Sequence, residues 1–292
     1  MNKRHYEHTL PNIRGSLSNT YSLITATYGR TEEVRTLLGS LARQSYKDFE
    51  FILVDQNPHF ILREMVAEYA SRLTIQYIRS EAKGLSLNRN IGLDYSRGEI
   101  VAFPDDDCFY EEDVLEKVID VFQRQKDIVL VATAVKDAFD GRVWKVSERE
   151  LISRNKTLRY CFSNNIFVRK TEARFDVRLG VGAYWGSGEE SDYLWEILDE
   201  KDVGIFLRDT YINHPYIADV FVNIPKAYAY GLGFGALFKK EVVGRKHYAF
   251  LFRFIYYVLR SVGGCLLSRH TKYYYYTLRG RIMGFVTFPV SM

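Results

Sequence analysis

Apolar runs of strand length alternate with amphipathic helical segments as far as about residue 135, and this alternation constrains the fold more than any other feature. Four of the runs are predicted to be strands: Tyr21–Thr27, Phe49–Asp55, Leu73–Arg79 and Ile100–Phe103. The runs are apolar almost throughout, which is typical of parallel strands that are covered on both faces. The sequence therefore predicts an α/β fold, with a central and mostly parallel sheet flanked by helices.

Three consecutive aspartates, Asp105, Asp106 and Asp107, directly follow the fourth predicted strand. Adjacent carboxylates repel one another, so such a cluster needs water or a cation around it. If the chain stays extended, Asp105 and Asp107 leave it on the same side and can share one Mg²⁺ or Mn²⁺, while Asp106 faces away. A polar helix start is the alternative, because acidic side chains favour helix N-termini. The triplet alone leaves both interpretations open.

Other polar side chains stand at the carboxyl ends of the predicted strands. Thr25 and Thr27 lie at the end of the first strand, and Asp55 ends the second. Ligands of parallel α/β sheets bind beyond the carboxyl ends of the strands. These positions converge with the aspartates on one edge of the sheet, which favours a binding site there.

The segment from Lys226 to Met292 differs from the rest in charge. It carries eleven basic residues and one acidic residue, Glu241, among many aromatic residues. Its apolar stretch Tyr248–Leu259 is short and charged for a membrane span. Basic and aromatic residues around apolar faces instead fit helices on an anionic membrane surface. A helical cap on the preceding domain or an oligomer contact is the alternative, and no nucleic-acid partner is expected.

Five motifs carry a resemblance to a known family. They are TATYGR, FILVDQN, KGLSLNRNIGL, AFPDDDC and GSGEESDYL, and they occur in this order within residues 21–216. In order and approximate spacing they resemble the family 2 glycosyltransferases, which have the GT-A fold. The resemblance implies transfer of a sugar from a nucleotide-sugar donor, expected to be UDP-linked, to a hydroxyl of a glycan or lipid-linked glycan. Inversion, a divalent cation and a role in surface polysaccharide synthesis are also implied.

The resemblance also implies roles for individual residues on the donor side. Thr27 and Asp55 look like the residues that hold the nucleotide base and ribose. Gly84 and Arg89 resemble the segment beside the donor diphosphate, and Asp106 is counted with these donor-binding residues.

A metal site follows from the same resemblance. Asp105 and Asp107 resemble the DXD motif that binds Mn²⁺ or Mg²⁺ in the family. His214, which lies near the end of the domain, is the candidate for a further metal ligand.

Glu190 is the candidate for the base that takes the acceptor's proton, because Glu189 and Glu190 stand where the family carries an ED pair. Helical spacing puts Glu190 on one stripe with Leu194 and Ile197, so Glu190 is expected to face protein. Glu189 shares a face with Asp192 and is expected to face solvent. The alternative for Glu190 is structural. Ser187 and Glu190 fit the S-x-x-E pattern of a helix capping box, in which Glu190 would only bind a backbone amide.

The resemblance and the composition divide the chain into three predicted parts. Residues 1–20 are a flexible N-terminal leader without the apolar run of a signal peptide, and residues 21–220 are the GT-A domain. Its nucleotide-sugar half is expected at 21–107 and its acceptor half at 108–220. Residues 226–292 are a helical, basic and aromatic appendage that is expected to be membrane-associated.

Three scattered cysteines give no disulfide framework, which fits a reducing cytoplasm. The expected location is therefore cytoplasmic, with peripheral contact at the inner membrane face. A non-catalytic nucleotide-sugar or glycan-binding relative that acts as a membrane-associated scaffold is the alternative function. A sugar nucleotidyltransferase ranks third, because no glycine-rich phosphate loop with Arg and Lys follows the first strand.

Overall fold

The computed structural model describes residues 6–8, 20–144, 150–198, 204–215 and 221–290. These residues belong to two compact units. The first unit is drawn from Met1–Lys83, Leu87–Arg174 and Tyr193–Tyr216, and the second from Gly84–Ser86, Phe175–Asp192 and Ile217–Met292. The predicted boundary between a donor half and an acceptor half stays a prediction.

One sheet in the first unit contains the strands of the described residues. They are β1 (Tyr6–His8), β2 (Tyr21–Thr27), β3 (Phe49–Asp55), β4 (Thr74–Ser80), β5 (Ile100–Ala102), β6 (Phe109–Tyr110), β7 (Leu130–Asp137), β8 (Val143–Trp144), β9 (Glu150–Ile152), β10 (Ile166–Arg169) and β11 (Gly204–His214). The strand order is β1-β4-β3-β2-β5-β10-β7-β11-β6, while β8 pairs with β7 and β9 with β11. Strands β4, β3, β2 and β5 run parallel to one another, as do β7 and β11, whereas β10 is antiparallel to both of its neighbours.

Six α-helices of the described residues accompany the strands of the sheet. They are α1 (Glu32–Ala42), α2 (Arg63–Tyr69), α3 (Leu85–Tyr95), α4 (Val114–Arg124), α5 (Thr157–Tyr160) and α6 (Glu189–Ile197). Two of them, α3 and α6, begin in the second unit and end in the first. Leucines of α1 and the apolar face of α4 are buried in one core with Phe51 and Phe167 of the sheet. Burial of this apolar surface is the main stabilising contribution, at roughly 25 cal/mol per Å². The predicted α/β fold with flanking helices is confirmed.

The second unit is built mainly from the C-terminal helices α7 (Ile224–Lys239), α8 (Ala249–Leu267) and α9 (Thr271–Thr287). A π-helix, Lys240–Gly244, continues α7. Helices α7 and α9 approach closely, because a Cβ atom at Gly231 would lie only 2.6 Å from the carbonyl oxygen of Thr277. The predicted helical appendage is therefore confirmed.

Several local predictions differ from the structure in detail. Tyr6–His8, inside the predicted leader, forms a strand that pairs with β4, and the rest of residues 1–19 lies outside the described residues. Strand β11 lies beyond the four strands predicted from the sequence and has an irregularity between Leu207 and Tyr211. Helix α8 has 19 residues rather than the 12 of the apolar stretch. Among the described residues it is the one helix whose length and composition would suffice to cross a membrane, and 17% of its most apolar window is buried.

Candidate active site

The acidic triplet lies in a turn between β5 and β6. The hydroxyl of Thr25 donates to the carbonyl oxygen of Pro104 at 2.9 Å, which ties the end of β2 to the residue before the triplet. The amide of Cys108 then donates to the carbonyl oxygen of Asp105 at 3.2 Å. The chain therefore turns at the aspartates and does not continue as an extended strand, which corrects the extended geometry assumed from the sequence.

The three predicted metal ligands nevertheless come together. One ligand atom from each of Asp105, Asp107 and His214 lies within 4.8 Å of the others. Nε2 of His214 is 3.2 Å from Oδ1 of Asp107 and 3.9 Å from Oδ2 of Asp105. His214 ends β11, so the fold brings the end of a distant strand to the loop that follows β5. Two carboxylates and an imidazole form a donor set that a divalent cation can use.

Two arginines also balance the negative charge of the triplet. Arg89, which is 1% exposed, lies with Nη2 at 2.9 Å from Oδ1 of Asp105. Arg30 lies with Nη2 at 3.2 Å from Oδ2 of Asp107. The hydroxyl of Ser163 donates to Oδ1 of Asp105 at 3.0 Å. Sequence reasoning missed Arg30 and Ser163. Arg30 could have been found, because it follows the carboxyl end of β2 and ligands of parallel sheets bind beyond such ends.

The pairing of His214 with Asp107 shifts the pKa values of both groups. The hydrogen bond from His214 holds the pKa of Asp107 below its ordinary value. Burial alone would lower the pKa of His214, but the hydrogen bond to Asp107 and the two carboxylate charges outweigh it and raise that pKa. In the absence of a cation, the two aspartates therefore stabilise the imidazolium form of His214 relative to a free imidazole.

Asp106 and Thr27 form a second polar pair at this edge. The hydroxyl of Thr27 donates to Oδ2 of Asp106 at 2.7 Å, and Thr27 is buried. Burial raises the pKa of Asp106 to about 6, against the opposing effect of the Thr27 hydrogen bond. Two residues that the sequence assigned to donor binding are thus in direct contact.

Asp55, at the end of β3, is fully buried and already bonded to protein groups. Its Oδ1 accepts from the backbone and side-chain amides of Asn57 at 2.8 and 2.7 Å. Its Oδ2 accepts from the Tyr77 hydroxyl at 2.6 Å, and burial raises the pKa of Tyr77, which keeps its proton on the donor oxygen. Asn57 and Tyr77 hold this carboxylate in place and were not found from the sequence.

Gly84 and Glu190 both belong to the second unit. Gly84 has a φ of +118°, a conformation that favours glycine, and it begins the segment that leads into α3. The amide of the next residue, Leu85, donates to the carbonyl oxygen of Val181 at 3.0 Å. The segment at Gly84 is therefore in contact with the glycine-rich segment around Val181.

The first turn of α6 corrects the predicted orientation of its acidic residues. Glu189 is 5% exposed and Asp192 is fully buried, so the prediction that their shared face points to solvent is wrong. The physical reason is that Lys240 and Arg245 form ion pairs with Asp192, while Gly180 packs against Glu189. Glu190, by contrast, is half-buried.

The capping-box alternative does not match the observed helix start. Helix α6 begins at Glu189, so Gly188 occupies the N-cap position. The hydroxyl of Ser187 donates to the carbonyl oxygen of Tyr230 at 3.0 Å. Ser187 is therefore not the residue that caps α6.

Comparison of the sequence with known proteins identifies a family. The sequence profile of Glycosyl transferase family 2 matches residues 22–177, more than half of the chain. The amylovoran biosynthesis glycosyltransferase AmsB of Erwinia amylovora is 29% identical over 181 residues, which cover 54% of this chain and 59% of AmsB. The chain spans between 36% and 62% of the length of three curated relatives, AmsB among them.

Two solved structures share the fold. Staphylococcus aureus TarS, residues 1–349 in complex with UDP-GlcNAc, has a TM-score of 0.58 at 19% identity and covers 75% of this chain and 66% of that one. The mannosyltransferase PcManGT from Pyrobaculum calidifontis, in complex with GDP-Man and Mn²⁺, has a TM-score of 0.62 at 14% identity and covers 97% of this chain and 90% of that one. Both likenesses confirm the predicted GT-A architecture. The profile match across residues 22–177 confirms the predicted family and enzyme class, and the chain belongs to glycosyl transferase family 2.

Proposed function

We propose that this chain is an inverting, metal-dependent glycosyltransferase that moves a sugar from a nucleotide-sugar donor to a hydroxyl of a glycan or lipid-linked glycan. The cluster of Asp105, Asp107 and His214 at the carboxyl edge of the sheet carries the proposal. Surface polysaccharide or a similar glycan is the proposed product, in line with a relative named for amylovoran biosynthesis.

Mn²⁺ or Mg²⁺ fits the donor set of the cluster. Asp105 and Asp107 supply the hard oxygen ligands that both ions prefer, and the His214 imidazole favours Mn²⁺ of the two. A cation bound there would neutralise the negative charge that grows on the leaving diphosphate. A fold neighbour was solved with GDP-Man and Mn²⁺, which supports the choice.

The donor is proposed to lie along the edge formed by the ends of β2, β3 and β5. Thr27, Asp55 and Asp106 are proposed to bind or shape the pocket for the base and ribose, and Gly84 and Arg89 to lie beside the diphosphate. Because Asp55 is bonded through both oxygens to protein groups, its contribution is to fix the wall of the pocket as well as to accept hydrogen bonds. The proposed nucleotide is uridine diphosphate, as in the TarS complex with UDP-GlcNAc.

The acceptor hydroxyl loses its proton as the new glycosidic bond forms, and inversion requires one carboxylate to take that proton on the face opposite the leaving group. Glu190 is proposed for this role. It is half-buried in the first turn of α6, where it keeps access to solvent and to a substrate.

A panel of nucleotide sugars tests the proposed activity. Purified protein with Mn²⁺ is expected to release nucleoside diphosphate from one UDP- or GDP-linked sugar when saccharide acceptors are supplied, and a chelator is expected to stop the release. Release that continues undiminished after metal removal would rule out metal dependence. Tight donor binding without any turnover would instead favour the non-catalytic binding protein.

We further propose that the protein is cytoplasmic and contacts the inner membrane face through α8. One side of α8 packs inward through Phe250 and Phe254. The other side carries exposed large apolar residues at spacings of three or four: Phe252, Ile255, Tyr256, Leu259, Val262 and Leu266. A continuous exposed apolar stripe beside cationic side chains fits a helix that lies in the headgroup region of an anionic leaflet.

Substitution of Leu259 and Phe252 by Glu is expected to lower binding to anionic lipid vesicles at least tenfold. Each buried apolar side chain contributes about 1.5–3 kcal/mol, and about 1.4 kcal/mol corresponds to a tenfold change. Vesicle sedimentation measures the partition coefficient. Phe139→Glu is the matched control, because Phe139 is 83% exposed in the first unit. Equal binding by the α8 variant and the wild type would contradict the proposed membrane contact.

A further inference from the structure

A buried ion-pair network joins α6 to the segment after α7. Asp192, in the first turns of α6, is fully buried, and each of its oxygens contacts a different cation. Nζ of Lys240 lies 2.8 Å from Oδ2, and Nη1 of Arg245 lies 2.9 Å from Oδ1. Lys240 begins the π-helix and Arg245 directly follows it, so this irregular turn presents both cations to one carboxylate.

The same two cations contact further acidic groups. Lys240 also lies 2.9 Å from Oδ2 of Asp176, which Arg178 binds through two nitrogens. Burial alone would raise the pKa of Asp176, but the hydrogen bonds from Arg178 and Lys240 outweigh it and hold that pKa well below its ordinary value. Asp176 thus remains ionised over the neutral range.

Arg245 extends the network in the other direction. Its Nη1 lies 2.9 Å from Oε2 of Glu241, which is fully buried, and Nδ1 of His247 lies 2.6 Å from Oε1 of the same carboxylate. Buried ion pairs are a weak source of net stability, because desolvation offsets most of the attraction. Their directional contacts do fix the geometry of the groups that they join.

Glu190 lies between the two points at which the start of α6 is held. The amide of Asp192 donates to the carbonyl oxygen of Gly188 at 2.9 Å. Gly188 has a φ of +90°, and a Cβ atom there would lie 3.4 Å from the carbonyl oxygen of Gly233 in α7. The helix start is thus held by backbone packing at Gly188 and by ion pairs at Asp192.

We propose that Asp192, clamped by Lys240 and Arg245, is a positioning residue that fixes the first turn of α6 and thereby orients Glu190 for proton transfer. This inference rests on the proposed role of Glu190. It makes the C-terminal segment part of the catalytic machinery, in addition to any contact that it makes with a membrane. Small displacements of a reacting group reduce rates strongly, up to about a hundredfold for a shift near 1 Å.

Near-isosteric variants test the inference. Lys240→Met and Asp192→Asn are each expected to lower kcat for sugar transfer about ten- to a hundredfold, with the KM for the donor and the affinity for UDP in the presence of Mn²⁺ changed less than twofold. Arg245→Lys keeps a cation, so its kcat is expected to fall less than that of Lys240→Met or Asp192→Asn. Lys239→Met is the matched control, because Lys239 donates to the carbonyl oxygen of Val286 and contacts no carboxylate of the network.

The decisive comparison repeats these substitutions in a Glu190→Gln background. If the network acts through Glu190, Lys240→Met should cause no further loss of the residual transfer rate there. An equal loss in both backgrounds, or a lower melting temperature with unchanged kcat, would overturn the inference. If Lys240→Met does not fold, Asp192→Asn and Arg245→Lys provide the same comparison. Full transfer by Glu190→Gln alone would instead refute the assigned base, and the two failures are thereby distinguished.

Discussion

Glu190→Gln is expected to reduce sugar transfer by about 10²- to 10⁴-fold while leaving donor binding intact. Glutamine preserves the size and hydrogen-bonding shape of the side chain but cannot accept the acceptor's proton. The loss should therefore appear in kcat, with little change in the affinity for UDP or in the melting temperature. Steady-state kinetics of nucleoside diphosphate release, combined with calorimetry of UDP and Mn²⁺ binding, measures these quantities separately.

Glu196→Gln provides the matched control for this variant. Glu196 lies on the same helix and is exposed, so its substitution should leave the transfer rate unchanged. Glu189→Gln addresses the neighbouring carboxylate, which is buried. If Glu189→Gln abolished transfer while Glu190→Gln retained it, the base would be Glu189 and the present assignment would be wrong.

The edge of the sheet could be predicted because its signals are local. Each of β2, β3 and β5 is an apolar run whose length and composition identify a buried parallel strand. Polar residues such as Thr27 and Asp55 follow these runs in the sequence itself. Once the strands are known to be parallel, their carboxyl ends must share an edge, so the proximity of Thr27 to Asp106 follows without any knowledge of distant contacts.

The orientation of α6 could not be predicted in the same way. Helical spacing groups Glu189 with Asp192, and an acidic face usually points to solvent. The cations that pair with Asp192, Lys240 and Arg245, lie about fifty residues further along the chain, at the start and just after the end of a π-helical turn that has no clear sequence signal. A periodic pattern tells which residues share a face but not what packs against that face.

The surroundings of the acidic triplet were predicted only in part. The resemblance assigned His214 to the metal site, and His214 does lie beside Asp107. It assigned Arg89 to the donor diphosphate, whereas the structure places Arg89 in an ion pair with Asp105. Arg30 was missed, although it lies 3.2 Å from Asp107. The triplet is therefore balanced by side chains of the protein itself. A metal that binds Asp107 would have to replace Arg30 and the proton of His214 at its oxygens.

Asp107→Ala is expected to remove most of the gain in UDP affinity that Mn²⁺ provides. Loss of one anionic ligand leaves a site of Asp105 and His214, too few protein ligands to hold a divalent cation tightly. The same substitution also removes the ion pair of Arg30 with Asp107 and leaves its ion pair with Glu33, so metal-free UDP binding should be unchanged or slightly tighter. Calorimetric titration of UDP with and without Mn²⁺ separates the two effects. We expect the ratio of the UDP affinity with Mn²⁺ to that without Mn²⁺ to fall at least about a hundredfold.

The two opposing effects make this variant more informative than a simple loss of activity. A merely destabilised protein would bind UDP more weakly under both conditions, whereas loss of a metal ligand affects only the titration with Mn²⁺. Asp94→Ala is the matched control, because Asp94 is an exposed aspartate of the same unit whose only described ion pair, with Arg174, is at the surface. An Asp107→Ala protein that gains as much affinity from Mn²⁺ as the wild type would show that the metal, if one is used, binds elsewhere.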